Sequence, residues 1–255
     1  MTNNFDYQYD SCISRGICSM NPRTSSLQEV LILYLKNASY YALKLYENEV
    51  LDKRVQALIL NTISILVSNP QFSENDFNAL IHAYNEELPR LINSYKEICN
   101  KNDIEPEFLK TVIKYNKEFD IIKAIQLGEK EFLKKVKELS QEIQDLYRIL
   151  FVIAKSICIN VLDLETFEIE SNDGYLMILT LLNSLNLEEL DPLELKKLII
   201  NAAEFDNKLM KLLRKTQKER YGQQVINEVS YTTTPSKAIL VVGSNIRELE
   251  DVLEA

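Results

Sequence analysis

The sequence contains very little glycine, tryptophan or histidine. Its 255 residues include 5 glycines, no tryptophan and 1 histidine, His82. It has no glycine-rich phosphate loop and no Gly-x-Ser-x-Gly turn for a nucleophilic serine. A Ser-His-Asp or Cys-His site, or a histidine-rich zinc site, would depend on His82 alone. The composition therefore disfavours the common hydrolase and nucleotide-binding motifs.

Basic charge and long apolar runs are also scarce. The chain has 29 Lys and Arg against 38 Asp and Glu, a formal net charge of -9 at pH 7. This acidity argues against a nucleic-acid partner and against an anionic membrane, because both require clustered basic residues. The apolar run 149–159 is interrupted by Lys155 and Ser156 and is shorter than the roughly 18 residues of a spanning helix. Without a secretory signal at the amino terminus, we expect a cytoplasmic protein.

Apolar residues at helical spacing occupy most of the chain. Ser26 and Glu29 form a capping box that predicts a helix from about Ser26 to Glu47. Pro89 lies inside a later helical pattern, where we expect a kink or a restart. Start signals for the other helices stand at Asp52, Ser73, Asp103, Ser140, Gly174 and Asp191, and the last of these helices should end at Gly222.

The pattern changes near residue 230. The run Ala238 to Val242, "AILVV", predicts a buried strand, followed by a turn and a helix from Asn245. A strand, turn and helix in this order begin a doubly wound α/β domain, of which this chain would hold only the first part. We therefore predict a cysteine-bearing segment at 1–25, a helical domain at 26–229 and an incomplete α/β domain at 237–255.

Four cysteines in a chain of this size do not make a disulfide framework, which favours a reducing compartment. Cys12 and Cys18 lie six residues apart, and Gly16 between them permits a tight turn. A metal site, a disulfide and two free thiols are all compatible with this pair. Cys99 and Cys158 lie in helical patterns, where buried structural thiols are expected.

Three further groups have a structural and a functional interpretation. His82 follows Ile81 on a helix, where a partly buried, hydrogen-bonded imidazole is favoured over a catalytic one. The acidic stretch "LETFEIE" is favoured as an exposed irregular segment over a metal-binding cluster. For the tyrosines, packing is favoured over electron transfer because they follow helical spacing. The glutamates are Glu165, Glu168 and Glu170, and the tyrosines are Tyr34, Tyr40, Tyr41 and Tyr46.

Two stretches resemble a known family. The segment "CISRGICSMNPRTSSLQEVLILYLKNASYYALKL", which starts at Cys12, resembles the beginning of the hybrid cluster proteins. These are also called prismane proteins or hydroxylamine reductases and are relatives of the nickel carbon monoxide dehydrogenases. The segment "KAILVVGSNIRELEDVLEA" resembles the entry to that family's α/β region. The resemblance implies a mainly α fold: two three-helix bundles, followed by the first strand and helix of a truncated Rossmann-like domain.

The resemblance also implies an iron-sulfur cofactor. Family members hold a cluster near the amino terminus with a C-x2-C pair and a later C-x5-C pair. Cys12 and Cys18 match the second pair, which makes them the implied metal ligands. Asn3 occupies one position of the first pair, and the other would precede Met1, so the ligand set in one chain is incomplete. The ligands of the hybrid cluster belong to segments after Ala255, and His82 matches none of them.

The family reduces hydroxylamine or nitric oxide with electrons from a dedicated reductase. The resemblance therefore implies that this chain is the amino-terminal helical domain of such an oxidoreductase, inactive by itself. Its partners would be an electron-donating reductase and either a second copy, which supplies two more thiolates, or another chain, which supplies the α/β domains. The alternative is a redox-inactive helical module for structure or interaction.

Overall fold

The computed structural model describes residues 22–67, 73–110, 120–186, 191–232, 235–243 and 246–255. These residues form eight helices and contain no strand, which confirms the mainly helical class. The helices are α1 (Pro22–Tyr46), α2 (Lys53–Val67), α3 (Glu74–Lys101), α4 (Ile121–Glu138), α5 (Gln141–Thr166), α6 (Asn172–Ser184), α7 (Pro192–Tyr221) and α8 (Ile246–Glu254).

Most of the residues that the sequence marks as helix starts do cap a helix in the structure. The Asp191 carboxylate accepts a hydrogen bond from the Leu193 amide at 2.8 Å, and Pro192 occupies the first turn of α7. Ser140 caps α5 in the same way. At the other end of α7 the chain turns at Gly222, whose φ of 83° favours glycine.

Two local predictions were wrong. Helix α1 begins at Pro22, so Ser26 is an interior residue whose hydroxyl donates to the Pro22 carbonyl at 3.0 Å. Proline suits a first helical turn, because an amide proton at that position would have no acceptor within the helix and proline lacks one. The short helix expected from Asp103 is not formed in residues 103–110. Asp103 instead takes a φ of 56°, which ends α3. Helix α3 runs through Pro89 without a restart.

The strand predicted at Ala238 to Val242 is also not formed. A strand requires a neighbour for its amide and carbonyl groups, and the described residues provide none. Its apolar side chains lie in solvent: Ile239 is 91% exposed and Leu240 is 88% exposed. The helix predicted after the turn is present as α8.

Two helices organise the packing. Helix α1 contacts α2, α3, α4 and α6, and α5 contacts α2, α6 and α7. Helices α1 and α3 run parallel, because Arg23 pairs with Glu74 and Tyr34 donates to Asn85 at the same sequence offset. The buried residues form one continuous core. The polypeptide is therefore a helical bundle with its first long helix at the centre.

Stacked tyrosines occupy the centre of this core. The rings of Tyr34 and Tyr84 lie 5.6 Å apart with nearly parallel planes. The Tyr84 hydroxyl donates to the Thr62 hydroxyl at 3.1 Å and so joins α3 to α2. Tyr34 and Tyr41 are both buried, which confirms the packing role expected for them.

Candidate functional site

The predicted cluster ligands, Cys12 and Cys18, lie outside the described residues, as does Gly16. Pro22, the first residue of α1, follows Cys18 by four residues, so the amino end of α1 is the described part of the chain nearest to the pair in the sequence.

The amino ends of α1 and α3 lie side by side. Arg23 Nε and Glu74 Oε2 are 3.1 Å apart and connect the first turns of the two parallel helices. A helix carries partial positive charge at its amino end, so two such ends meet here. The first turn of α3 contains Glu74 and Asp76, so its positive end is already matched by carboxylates, whereas α1 has no acidic residue of its own at its amino end.

Helix α4 crosses α1 at this same end. A Cβ atom placed on Gly128 would lie 1.9 Å from the Ser26 carbonyl oxygen. This distance is too short for any residue with a side chain at position 128. Ser26 itself is fully buried. The glycine thus permits backbone contact that fixes the first two turns of α1. A glycine within an apolar helical pattern is the sequence signal for such a contact.

The two described thiols are buried, as expected. Cys99 is 1% exposed and Cys158 is 0% exposed. The Cys158 thiol donates to the Leu60 carbonyl at 3.4 Å. Burial raises the pKa of Cys158 to about 12, with a smaller contribution from Glu165. A thiol in this environment stays protonated and is a poor metal ligand.

His82 lies on the exposed face of α3, so the partial burial expected for it was wrong. Its neighbour Ile81 takes the core position instead. Within the described ranges no three His, Cys, Asp or Glu side chains are grouped so as to hold a metal ion.

A cavity of about 620 Å³ opens between α2 and the carboxyl end of α5. The three glutamates of the acidic stretch line one side, and the amide side chains of Gln56 and Asn61 line the other. Glu165, Glu168 and Glu170 are exposed at its rim, in agreement with the exposed segment predicted there.

The electrostatics of this rim are dominated by carboxylates. Lys53 Nζ lies 3.0 Å from Glu170 Oε2. Partial burial raises the pKa of Glu165; Lys53 lowers it and Glu170 raises it. Glu168 has a φ of 62°, in the left-handed region. Sequence reasoning identified the three glutamates but gave no signal that Gln56 would face them across a cavity.

None of the helices in the described ranges has the length and apolar character needed to cross a membrane.

The sequence matches the profile of the Prismane/CO dehydrogenase family over residues 8–255. The chain belongs to this family. The match includes the segment that carries Cys12 and Cys18 as well as all eight described helices.

Individual relatives agree with the family assignment. The chain is 26% identical over 254 residues to a hydroxylamine reductase of Petrotoga mobilis, covering 96% of this chain and 45% of the relative. It is 26% identical over 248 residues to a hydroxylamine reductase of Clostridium novyi, covering 95% of this chain and 43% of the relative. A third hydroxylamine reductase, from Halothermothrix orenii, is 25% identical over 253 residues, covering 95% of this chain and 44% of the relative. The chain thus spans less than half the length of these relatives.

Proposed function

We propose that this chain is the amino-terminal helical domain of a hybrid-cluster-type iron-sulfur oxidoreductase, in which Cys12 and Cys18 bind an electron-entry cluster. The family match over residues 8–255 is the observation that carries the proposal. The two cysteines reproduce the spacing of the family's second ligand pair, and soft thiolates are the ligands that iron-sulfur clusters use.

The described residues beside the cysteine segment suit such a cluster. A cluster with four thiolate ligands is anionic, and the amino end of α1, whose first turn has no acidic residue, provides partial positive charge. The Arg23 guanidinium is paired with Glu74 and adds no net charge. The four-residue step from Cys18 to Pro22 limits their separation to about 14 Å by covalent geometry alone.

One chain provides two of the four thiolates that a cubane cluster needs. A second copy that contributes its own Cys12 and Cys18 would complete the set, which makes a homodimer with a shared cluster the simplest arrangement. Asn3 stands where the family's first pair would contribute a cysteine, so that pair lacks at least this thiolate.

The segment after α7 supports a continuation into an α/β domain. Val225, Ile226 and Val242 are each at least 80% exposed, so this part of the chain buries almost none of its apolar surface. Partner strands from further polypeptide, in the same chain or in another, would cover it. On this view residues 1–25 carry the cluster, 26–229 form the helical domain, and 237–255 begin the Rossmann-like region.

Hydroxylamine or nitric oxide reduction would then be an activity of the whole protein. The relatives bear the name hydroxylamine reductase and are more than twice as long as the part matched here. The helical domain would accept electrons from a reductase in the cytoplasm, and the chain alone would be inactive.

A second candidate is a redox-inactive helical module. The incomplete ligand set, with Asn3 at a cysteine position, favours it.

Iron and acid-labile sulfide, measured in the chain purified without oxygen, distinguish the two candidates. We expect about two irons per chain, or four per dimer, and loss of this iron in Cys12→Ser. Cys99→Ala is the matched control, because it removes a buried thiol outside the pair. Folded, iron-free protein would reject the cluster and favour the structural module.

A further inference from the structure

Several hydrogen-bond donors converge on the Glu250 carboxylate of α8, at the carboxyl end of α7. Arg220, in the last turn of α7, donates from Nε to Glu250 Oε2 and from Nη2 to Glu250 Oε1, each at 2.9 Å. The Tyr221 hydroxyl donates to Oε2 at 2.9 Å, and Arg247 Nη1 on α8 donates to the same oxygen at 2.6 Å. Two helices that are distant in the sequence therefore meet at one side chain.

Burial of apolar surface does not hold α8 in this place. None of its residues is buried, and Leu249 and Leu253 are 41% and 77% exposed. A helix of nine residues is too short to be stable by itself in water. The described residues from 223 to 243 are all exposed, so the segment that leads to α8 gives it no support. The polar contacts at Glu250 are what remains to hold it.

The α7 side of this contact is fixed to the core. The Tyr221 ring lies edge-on to the ring of Phe167, with the centroids 6.0 Å apart, and Phe167 packs against the buried core after the end of α5. Tyr221 thus contacts the helical domain with its ring and α8 with its hydroxyl. Gly222, with a φ of 83°, then turns the chain away from α7.

An isolated exposed ion pair contributes little to stability, but this contact is a network. The Arg220 guanidinium grips the carboxylate with two parallel hydrogen bonds, the strongest geometry for this pair, and Arg247 shares the same carboxylate. These donors, Arg220 first, lower the pKa of Glu250 to about 2, so the carboxylate stays ionised. The network must also offset the entropy of closing the loop between the two helices, so loss of one member should open it.

We propose that Arg220, Tyr221 and Glu250 form a latch, which keeps α8 folded against the end of α7 and opens when the carboxylate is lost or its charge is screened. The latch sets the place at which residues 237–255 begin relative to the helical domain. Because it involves neither Cys12 nor Cys18, it stands or falls independently of the proposed cluster.

Hydrogen exchange of the 255-residue chain, followed by mass spectrometry at low salt, tests the latch. We expect the amides of 247–254 to exchange about tenfold faster in Glu250→Gln and in Arg220→Gln than in wild type, because the helix then opens more often. Arg220→Gln leaves the sequence of α8 unchanged, so its effect cannot arise from a change in helix propensity.

Two matched controls separate the latch from net charge. Lys218→Gln removes a positive charge from the same last turn of α7, where Lys218 has no ion pair in the described part of the chain. Glu254→Gln removes a carboxylate from α8 itself, at a residue outside the network. Neither substitution should speed exchange of 247–254. Unchanged exchange of the buried amides of α5 shows that each variant is folded.

Salt gives a second measurement, because at about 1 M NaCl charges are screened beyond about 3 Å. Exchange of 247–254 should then become faster in wild type and stay the same in Glu250→Gln. The proposal is overturned if these amides exchange equally fast in wild type and Glu250→Gln at low salt. An effect of Lys218→Gln as large as that of Arg220→Gln would also overturn it, because only the net charge of α7 would then matter.

Discussion

The Lys155 ammonium of α5 donates a hydrogen bond of 2.7 Å to the Leu66 carbonyl oxygen in the last turn of α2. Helix α2 has no basic residue of its own in that turn. The last carbonyls of a helix lack partners within it and carry partial negative charge, so Lys155 supplies both a donor and a cation from a neighbouring helix. The same ammonium lies over the ring of Phe151, with Nζ 5.0 Å from the ring centroid.

The first prediction concerns this contact. Lys155→Met keeps the apolar stem but leaves the Leu66 carbonyl without its donor, so the free energy of unfolding should fall by about 1–3 kcal/mol. Urea denaturation measures the change. Lys211→Met makes the same substitution at an exposed position of α7 and should change stability by less than about 0.5 kcal/mol. Equal effects of the two substitutions would show that the contact contributes nothing specific.

The second prediction tests the crossing of α4 over α1. In an exposed helix Gly→Ala stabilises by about 1 kcal/mol. At Gly128 the new methyl would collide with the Ser26 backbone, 1.9 Å away, so the helices must separate. We expect a net loss of about 2 kcal/mol or more, seen as a lower midpoint in urea. A Cβ atom on Gly243 meets nothing closer than 3.8 Å, which makes Gly243→Ala the control.

A neutral or stabilising Gly128→Ala would mean that α4 does not approach α1 as closely as described. In that case the rigid placement of α1's amino end, on which the proposed cluster site depends, would also lose its support.

The sequence predicted the helices well where a local signal determines the boundary. Asp52, Ser140 and Asp191 each cap a helix because a side-chain oxygen can reach an amide two or three residues ahead. Ser26 matches the same sequence pattern but does not cap a helix, because α1 already begins upstream at Pro22. Pro22, four residues upstream, is the sequence signal that distinguishes these two outcomes, because proline favours the first turn of a helix.

Contacts between segments distant in the sequence were harder to predict than helix boundaries. The predicted strand at Ala238 to Val242 has suitable residues, but strand formation depends on a neighbour that the described chain does not contain. The cavity beside Gln56 arises from the crossing of α2 and α5, a tertiary relationship without a local signal. The predicted roles of Cys12 and Cys18 fall outside the described residues.

The third prediction concerns a common ending of three helices. Glu49, Asp103 and Glu168 each adopt a positive φ, of 60°, 56° and 62°, after α1, α3 and α5. After α5 the Ile169 amide bonds to the Leu164 carbonyl and the Glu168 amide to that of Glu165, which is the Schellman arrangement. Glycine usually occupies the left-handed position because side chains are strained there.

Glu168→Gly should therefore raise the free energy of unfolding by about 1 kcal/mol, through relief of backbone strain and removal of a carboxylate from the negative end of α5. Glu168→Ala removes the same charge but keeps the strain, so it should be less stable than Glu168→Gly. Thermal denaturation compares the two variants. If alanine and glycine prove equivalent, the left-handed conformation is not the source of the cost.

The last prediction uses the alkaline titration of Tyr34. This residue is 1% exposed, and burial raises its pKa to about 12, although its hydrogen bond to Asn85 acts in the opposite direction. The unfolded chain ionises near pH 10, so the stabilisation from the neutral phenol is complete below that pH and is lost as pH rises towards 12. At pH 11 the loss from this group should be about 1 kcal/mol relative to pH 8. Tyr34→Phe cannot ionise, so the difference between wild type and variant should shrink over this interval by that amount. Urea denaturation at several pH values measures it, and a difference that stays constant from pH 8 to 11 would show that Tyr34 is accessible to water in the folded chain.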